Sequence, residues 1–123
     1  MRDIQNKKDV IRLVDSFYDK VNNDDILSPI FNDFAKVHWE SHLPRMYEFW
    51  SSILLGTESY SGRPFPKHLA LPIGEEHFER WLELFHQTLS DKFEGPLAKE
   101  AESRSSNIAE IFSFKIKSIK GNL

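Results

Sequence analysis

The chain has no cysteine among its 123 residues. This absence excludes a disulfide scaffold, a cysteine-ligated iron–sulfur or zinc site and a thiolate nucleophile. The five glycines are scattered, so there is no glycine-rich loop to hold phosphates, and no Gly-x-Ser-x-Gly segment marks a serine hydrolase. The sequence therefore offers nothing specific for nucleotide binding or for hydrolysis.

An excess of charge of one sign is also lacking. Sixteen basic and nineteen acidic residues are interspersed and give a formal net charge of −3, which excludes a broad basic surface for nucleic acid. No apolar run approaches the roughly 18 residues of a membrane-spanning helix, and no apolar core of a secretory signal follows the first charged residues. We expect a single domain over residues 1–123, located in the cytoplasm, with neither nucleic acid nor membrane as a partner.

Aromatic residues, by contrast, are abundant, with ten Phe, three Trp and three Tyr. They could fill the core of a small domain or line a pocket for a large flat apolar ligand, and composition does not distinguish these uses. Apolar residues recur at spacings of three and four along most of the chain, and no strand pattern occurs. This periodicity predicts an all-α fold with four substantial helices and short helical pieces between them.

Capping residues and prolines predict where the helices begin. Asp9 is the expected N-cap of the first helix. Pro44 interrupts a later apolar stripe and cannot donate a backbone hydrogen bond, so the regular helix there is expected to begin near Leu43 or Pro44, or to be kinked. Two further helices are predicted, one after Gly74 and one after Gly95–Pro96.

The five histidines are the candidate metal ligands, since imidazole is the best ligand that this sequence offers. His38 and His42 are four residues apart, as in the zinc-binding His-Glu-x-x-His motif, but Trp39 replaces the glutamate of that motif. His68 lies in a short apolar segment after a loop rich in Gly and Pro, and His77 begins a later helix. Taken singly, each is more often a structural or solvent-facing histidine than a ligand.

Several short motifs occur in a fixed order and spacing: Phe17-Tyr18, Ile30-Phe31, Trp39-Glu40-Ser41-His42, Phe49-Trp50, Leu54-Leu55-Gly56, Tyr60-Ser61-Gly62-Arg63-Pro64, Lys67-His68-Leu69-Ala70-Leu71-Pro72 and Phe78-Glu79-Arg80-Trp81-Leu82-Glu83-Leu84-Phe85. Together they resemble the truncated haemoglobins of group III. The resemblance covers about residues 8–90, and the last helix agrees only in its apolar pattern.

The resemblance implies a shortened globin, a two-over-two helical sandwich around one haem b, which reversibly binds oxygen and other small ligands at the haem iron. It implies His68 as the protein ligand of the iron, with His77 as the alternative. Tyr18, His42 and Trp81 would frame the side of the haem where the ligand binds. The other positions that match the haem pocket are Phe31, Met46, Phe49, Trp50, Arg63, Lys67, Phe78 and Phe85.

The side chains on the ligand side suit this role chemically. The Tyr18 hydroxyl, the Trp81 indole N–H and the His42 imidazole can donate hydrogen bonds to a polar ligand. Such donors would slow the release of oxygen, and they would also polarise a bound peroxide or nitrogen oxide, which leaves open a redox role with a reductase. Because Pro44 follows closely, we expect His42 on a loosely held first turn that gates access. The alternative function is a haem-free helical domain that binds another ligand or a protein.

Overall fold

The structure, a computed structural model, describes residues 1–57 and 73–121, with side chains as far as residue 119. Within these ranges the chain forms four α-helices and one π-helical turn, and no strand. The predicted all-α fold is therefore confirmed. The elements are α1 (Lys7–Asn22), the π-helical turn (Ile30–Phe34), α2 (Trp39–Leu55), α3 (Glu75–Lys92) and α4 (Pro96–Gly121).

The N-cap of α1 is Asn6, so the prediction of Asp9 is wrong. The Asn6 side chain accepts a hydrogen bond from the backbone N–H of Asp9 at 3.1 Å. Asp9 lies inside the first turn and is buried, because its carboxylate accepts two bonds from Arg2, both 2.6 Å long, and one from the backbone N–H of Gln5 at 2.9 Å. Lys7 and Lys8, which lie between Asn6 and the apolar stripe, also belong to α1. The N-cap therefore lies three residues nearer to the N-terminus than predicted.

Helix α2 begins at Trp39, so the predicted start near Leu43 or Pro44 is also wrong. Pro44 is the sixth residue of α2 and costs the helix one backbone hydrogen bond. The turn before it forms nevertheless, because Trp39 and Leu43 pack against the core of the protein. The backbone N–H of His42 donates to the carbonyl of His38 at 2.9 Å. The first turn of α2 is therefore held in place, and His42 is not on the loose segment that the sequence predicted.

The helices pack in two pairs. Helix α1 contacts α2 and α3, and α3 runs beside α4, which starts after a short turn. Phe17 of α1 and Phe85 of α3 meet edge to face with their ring centroids 5.1 Å apart in the fully buried centre. The starts of α3 after Gly74 and of α4 at Pro96 agree with the prediction. None of the helices in the described part of the chain is long and apolar enough to cross a membrane.

Two buried carboxylates tie distant segments to this frame. Asp24, just after α1, accepts a hydrogen bond from Nε of Arg80 at 2.6 Å and further bonds from the backbone N–H groups of Ile26 and Leu27. Burial raises the pKa of Asp24, but these hydrogen bonds outweigh it and the pKa lies below its ordinary value. The pKa of Asp9 is also lowered, above all by its hydrogen bond from Arg2. Both groups are therefore ionised at neutral pH.

We expect the protein to lose stability in acid through these two carboxyls. A carboxyl whose pKa is lower in the folded chain stabilises fully above its unfolded pKa of about 3.9, and this stabilisation is lost as the pH falls through the folded value. Each proton taken up on unfolding adds about 1.4 kcal/mol per pH unit to the slope of unfolding free energy against pH. Asp24→Asn should therefore lower the urea midpoint at neutral pH and flatten the acid slope.

The control for this experiment is Asp91→Asn. The Asp91 carboxylate is 56% exposed and lies 3.3 Å from Lys20, so its charge is well solvated. Urea unfolding followed by circular dichroism at several pH values between about 5 and 1 compares the two variants. An equal slope of unfolding free energy against pH in Asp24→Asn and in the unmodified chain would show that Asp24 does not cause the loss of stability in acid.

Candidate functional site

A cavity of about 550 Å³ lies between the four helices and the π-helical turn. We call it the inner cavity. Its walls are mostly aromatic and aliphatic, and none of the described lining residues is Asp, Glu, Lys or Arg. The residues that line it are Tyr18, Leu27, Ile30, Phe31, Phe34, Ala35, Val37, His42, Met46, Phe49, Trp50, Ile73, His77, Phe78, Trp81, Ile108, Ala109 and Phe112.

The structure brings most of the predicted site residues to this one cavity. Those that line it are Tyr18, Phe31, His42, Met46, Phe49, Trp50, Phe78 and Trp81. Three others, His68, Arg63 and Lys67, lie outside the described residues, and their roles stay predictions. Sequence reasoning missed the wall contributed by α4, which consists of Ile108, Ala109 and Phe112.

Phe85, the remaining predicted site residue that the structure describes, does not itself line the cavity. It is fully buried behind the wall, and its ring stacks on Trp50 at 4.7 Å and on Trp81 at 5.5 Å between centroids. It therefore supports the two indoles that face the cavity and does not contact a ligand there. The α3 stripe could not reveal this, because Trp81 and Phe85 share one helix face and only packing against α2 decides which reaches the cavity.

Three hydrogen-bond donors face the inner cavity from different helices. Phe17 contacts the rings of both Tyr18 and Trp81, at 4.9 and 5.7 Å between centroids, and so fixes them on one side of the cavity. The Tyr18 hydroxyl lies 3.3 Å from Nε2 of His42. Burial raises the pKa of Tyr18, so its hydroxyl keeps the proton that it can donate. The Trp81 indole N–H has no acceptor among the residues that the structure describes.

Four rings form a closed cluster on this side of the cavity, and Trp39 is the member that sequence reasoning missed. All six pairs among Tyr18, Phe31, Trp39 and His42 are in ring contact, with centroids 5.3–6.2 Å apart. The Trp39 indole N–H also donates to the side-chain oxygen of Asn32 at 2.9 Å. Trp39 and His42 are three residues apart on α2 and share a face. The sequence did not predict this, because the regular helix was expected to begin only near Leu43 or Pro44.

His77 is poorly placed to bind a metal, although it lines the cavity. Its Nδ1 accepts a hydrogen bond from the backbone N–H of Gly74 at 2.9 Å and so caps the start of α3. In a neutral imidazole whose Nδ1 is an acceptor, Nε2 carries the proton. To bind a metal through Nε2, a histidine needs the lone pair on Nε2 and an N–H that it donates from Nδ1. The cap therefore counts against His77 as the ligand of a metal.

The other histidine pair does not form a metal site in the structure either. His38 is exposed and lies at the N-cap of α2, whereas His42 faces the inner cavity. Among residues 1–57 and 73–119, no three side chains of His, Asp or Glu come together as metal ligands. A haem requires no such cluster, because one histidine ligand and a broad uncharged cavity suffice to hold it.

The comparisons with known proteins agree with this fit. The family model for "Bacterial-like globin" matches residues 3–114. The chain is 35% identical over 111 residues to "Group 3 truncated hemoglobin ctb" of Campylobacter jejuni, which covers 87% of each protein. The structure of the present chain is similar to the crystal structure of the group III truncated hemoglobin from Campylobacter jejuni, with a TM-score of 0.85 and 33% identity. The match covers 94% of this chain and 95% of the other.

These matches extend over nearly the whole sequence and over the helical arrangement that surrounds the inner cavity. Globins hold a haem through a histidine, and the uncharged cavity described here has the walls for one. The chain therefore belongs to the bacterial-like globin family and, within it, to the group III truncated haemoglobins.

Proposed function

We propose that residues 1–123 form one domain that holds a haem b and binds oxygen and other small ligands reversibly. The observation that carries the proposal is the inner cavity, which combines uncharged aromatic walls with three hydrogen-bond donors on one side. The chain has no cysteine, so the haem cannot be attached through thioether bonds, which favours haem b. When bound, the haem supplies an iron with one position for His68 and one for a small ligand.

The walls of the cavity keep water away from the ligand. Met46, Phe49 and Trp50 extend along one face of α2, and Phe78 faces them from α3. Hydrogen bonds inside such an enclosure are electrostatically stronger than in water, because the local dielectric constant is lower. The few polar groups in the cavity therefore have a large influence on how long a ligand stays.

Tyr18 and Trp81 act as the direct donors to the ligand, and His42 acts through Tyr18. If Nε2 of His42 carries its proton, it donates to the Tyr18 oxygen at 3.3 Å and leaves the hydroxyl proton free to point at the ligand. Each bond in such a chain polarises the next. His42 is then a positioning residue, so His42→Leu should quicken oxygen release less than Tyr18→Phe does.

The same donors would also hold the outer atom of a peroxide or a nitrogen oxide, which is the basis for a redox role with a reductase. The two uses are separated by one pair of measurements on the haem-loaded protein. Oxygen binding and release is followed in a stopped-flow instrument, and nitric oxide consumption is followed with a reductase present. Slow, reversible oxygen release supports the proposal, and rapid turnover of nitric oxide adds the redox role. A haem-loaded protein that is oxidised at once by oxygen, without a reversible step, contradicts the oxygen-binding function.

A further inference from the structure

A second cavity of about 440 Å³ lies on the outer side of α1 and α2. We call it the outer groove. Tyr18 is the one described residue that lines both the outer groove and the inner cavity. The residues that line the outer groove are Asp15, Ser16, Tyr18, Asp19, Asn22, Trp39, Leu43 and Tyr47.

The partition between the two cavities is thin and consists of side chains. Trp39 lines the outer groove, and its ring contacts Phe31 and His42, which line the inner cavity. It also meets Tyr18 edge to face, with centroids 5.3 Å apart. A rotation of the Trp39 side chain would therefore remove the outermost ring of the four-ring cluster and leave Tyr18, Phe31 and His42 between the outer groove and the inner cavity.

Besides these ring contacts, one hydrogen bond at the surface holds the Trp39 ring in this position. Its indole N–H donates to the side-chain oxygen of Asn32 at 2.9 Å. The Asn32 amide nitrogen donates in turn to the carbonyl and hydroxyl of Ser28 and to the side-chain oxygen of Asn22. These bonds fix the direction in which the Asn32 oxygen points. Because Asn32 is exposed, water can replace its bond to Trp39, so opening the ring does not leave a buried donor unpaired.

The mouth of the outer groove carries negative charge. Asp15 and Asp19 are exposed and lie one turn apart on the same face of α1, and no lysine or arginine is among the described lining residues. Asp15 accepts a hydrogen bond from the Tyr47 hydroxyl on the opposite wall. A groove lined by charge of one sign lowers the local concentration of ions of that sign and leaves neutral molecules unaffected.

We propose that the outer groove is an approach route to the inner cavity and that Trp39 and the acidic mouth determine which ligands use it. Small neutral ligands pass when the Trp39 ring swings away from Asn32, and small anions are slowed by Asp15 and Asp19. The inference rests on the proposed function, because it concerns how ligands reach a haem. It adds a size restriction at Trp39 and a charge restriction at the groove mouth.

The size restriction is tested by flash photolysis of carbon monoxide from the reduced, haem-loaded protein. Trp39→Ala should raise the bimolecular association rate several-fold, and Trp39→Phe, which keeps a ring but loses the bond to Asn32, should raise it less. An unchanged rate in Trp39→Ala would overturn the inference. A second readout needs no haem ligand. In ¹⁵N-labelled protein, the indole N–H signal of Trp39 is identified by its absence in Trp39→Phe. This N–H should exchange with solvent faster in Asn32→Ala than in the unmodified chain. Equal exchange would contradict the role of Asn32.

The charge restriction is tested with azide, a small anion, on the oxidised haem-loaded protein. Asp19→Asn should quicken azide association about twofold at low salt and lose this advantage at high salt, because salt screens exposed charges. Carbon monoxide association should not change in the same variant. Asp91→Asn removes another exposed carboxylate, near the C-terminal end of α3, and serves as the control. Equal azide rates in Asp19→Asn and Asp91→Asn would overturn the charge restriction. Failure of the unmodified chain to bind haem would overturn the proposed function itself.

Discussion

Replacing His68 by alanine is expected to remove the axial histidine from the bound haem, whereas His77→Ala should keep it. The resemblance to group III truncated haemoglobins implies His68 as the iron ligand, and this role is our prediction. His77 uses Nδ1 to cap α3, so the proton of its neutral ring is on Nε2 and binding a metal through Nε2 would cost this cap. The measurement is the absorption spectrum of the reduced protein after addition of one equivalent of haem.

A chemical rescue makes this prediction sharper. If His68→Ala leaves space where an imidazole ring normally binds the iron, free imidazole should restore the spectrum of the unmodified protein. His77→Ala should need no imidazole, although loss of its cap should lower the thermal midpoint of unfolding. The assignment is wrong if His77→Ala loses the histidine spectrum and His68→Ala keeps it.

Removing either direct donor from the inner cavity should speed oxygen release by about tenfold. A hydrogen bond to an acceptor with partial charge contributes roughly 1–3 kcal/mol, and about 1.4 kcal/mol corresponds to a factor of ten. Tyr18→Phe removes one hydroxyl from a buried ring that Phe17 continues to hold. Trp81→Phe removes the indole N–H and retains an aromatic ring against Phe85. Stopped-flow oxygen dissociation measures both effects.

Carbon monoxide provides the matched control for these variants, because it is a much weaker hydrogen-bond acceptor than oxygen. Its dissociation rate should change little in Tyr18→Phe and Trp81→Phe if their effect comes from lost hydrogen bonds. Equal acceleration of both ligands would indicate that the substitutions loosened the cavity instead. Unchanged oxygen release in both variants would show that neither side chain holds the ligand.

The helical architecture could be predicted from local spacing, whereas most residues of the cavity could be predicted only through the resemblance to a known family. Met46, Phe49 and Trp50 repeat at three and four residues, and such a stripe must face either the core or a pocket. The ordered motifs, through the resemblance to group III truncated haemoglobins, then predicted a haem pocket. The donors Tyr18, His42 and Trp81 come from separate helices, and only the resemblance brought them together before the structure placed them on one cavity.

The errors arose where a distant contact overrode a local signal. Pro44 has a real cost for a helix, but packing of Trp39 and Leu43 against the core extends α2 past it. The pairing of Asp24 with Arg80 joins residues 56 positions apart, and no periodicity encodes it. The hydrogen bond from Trp39 to Asn32 joins α2 to the π-helical turn, and no local spacing predicts it.

The most direct test of the haem site is a titration of the haem-free chain, residues 1–123, with haem, followed by absorbance. We expect a sharp endpoint at one haem per chain, a spectrum typical of a histidine-bound haem, and an oxygen complex that forms on reduction and disappears when oxygen is removed. A gradual rise with no endpoint would indicate adsorption to apolar surface, and would contradict the claim that the inner cavity is a haem site.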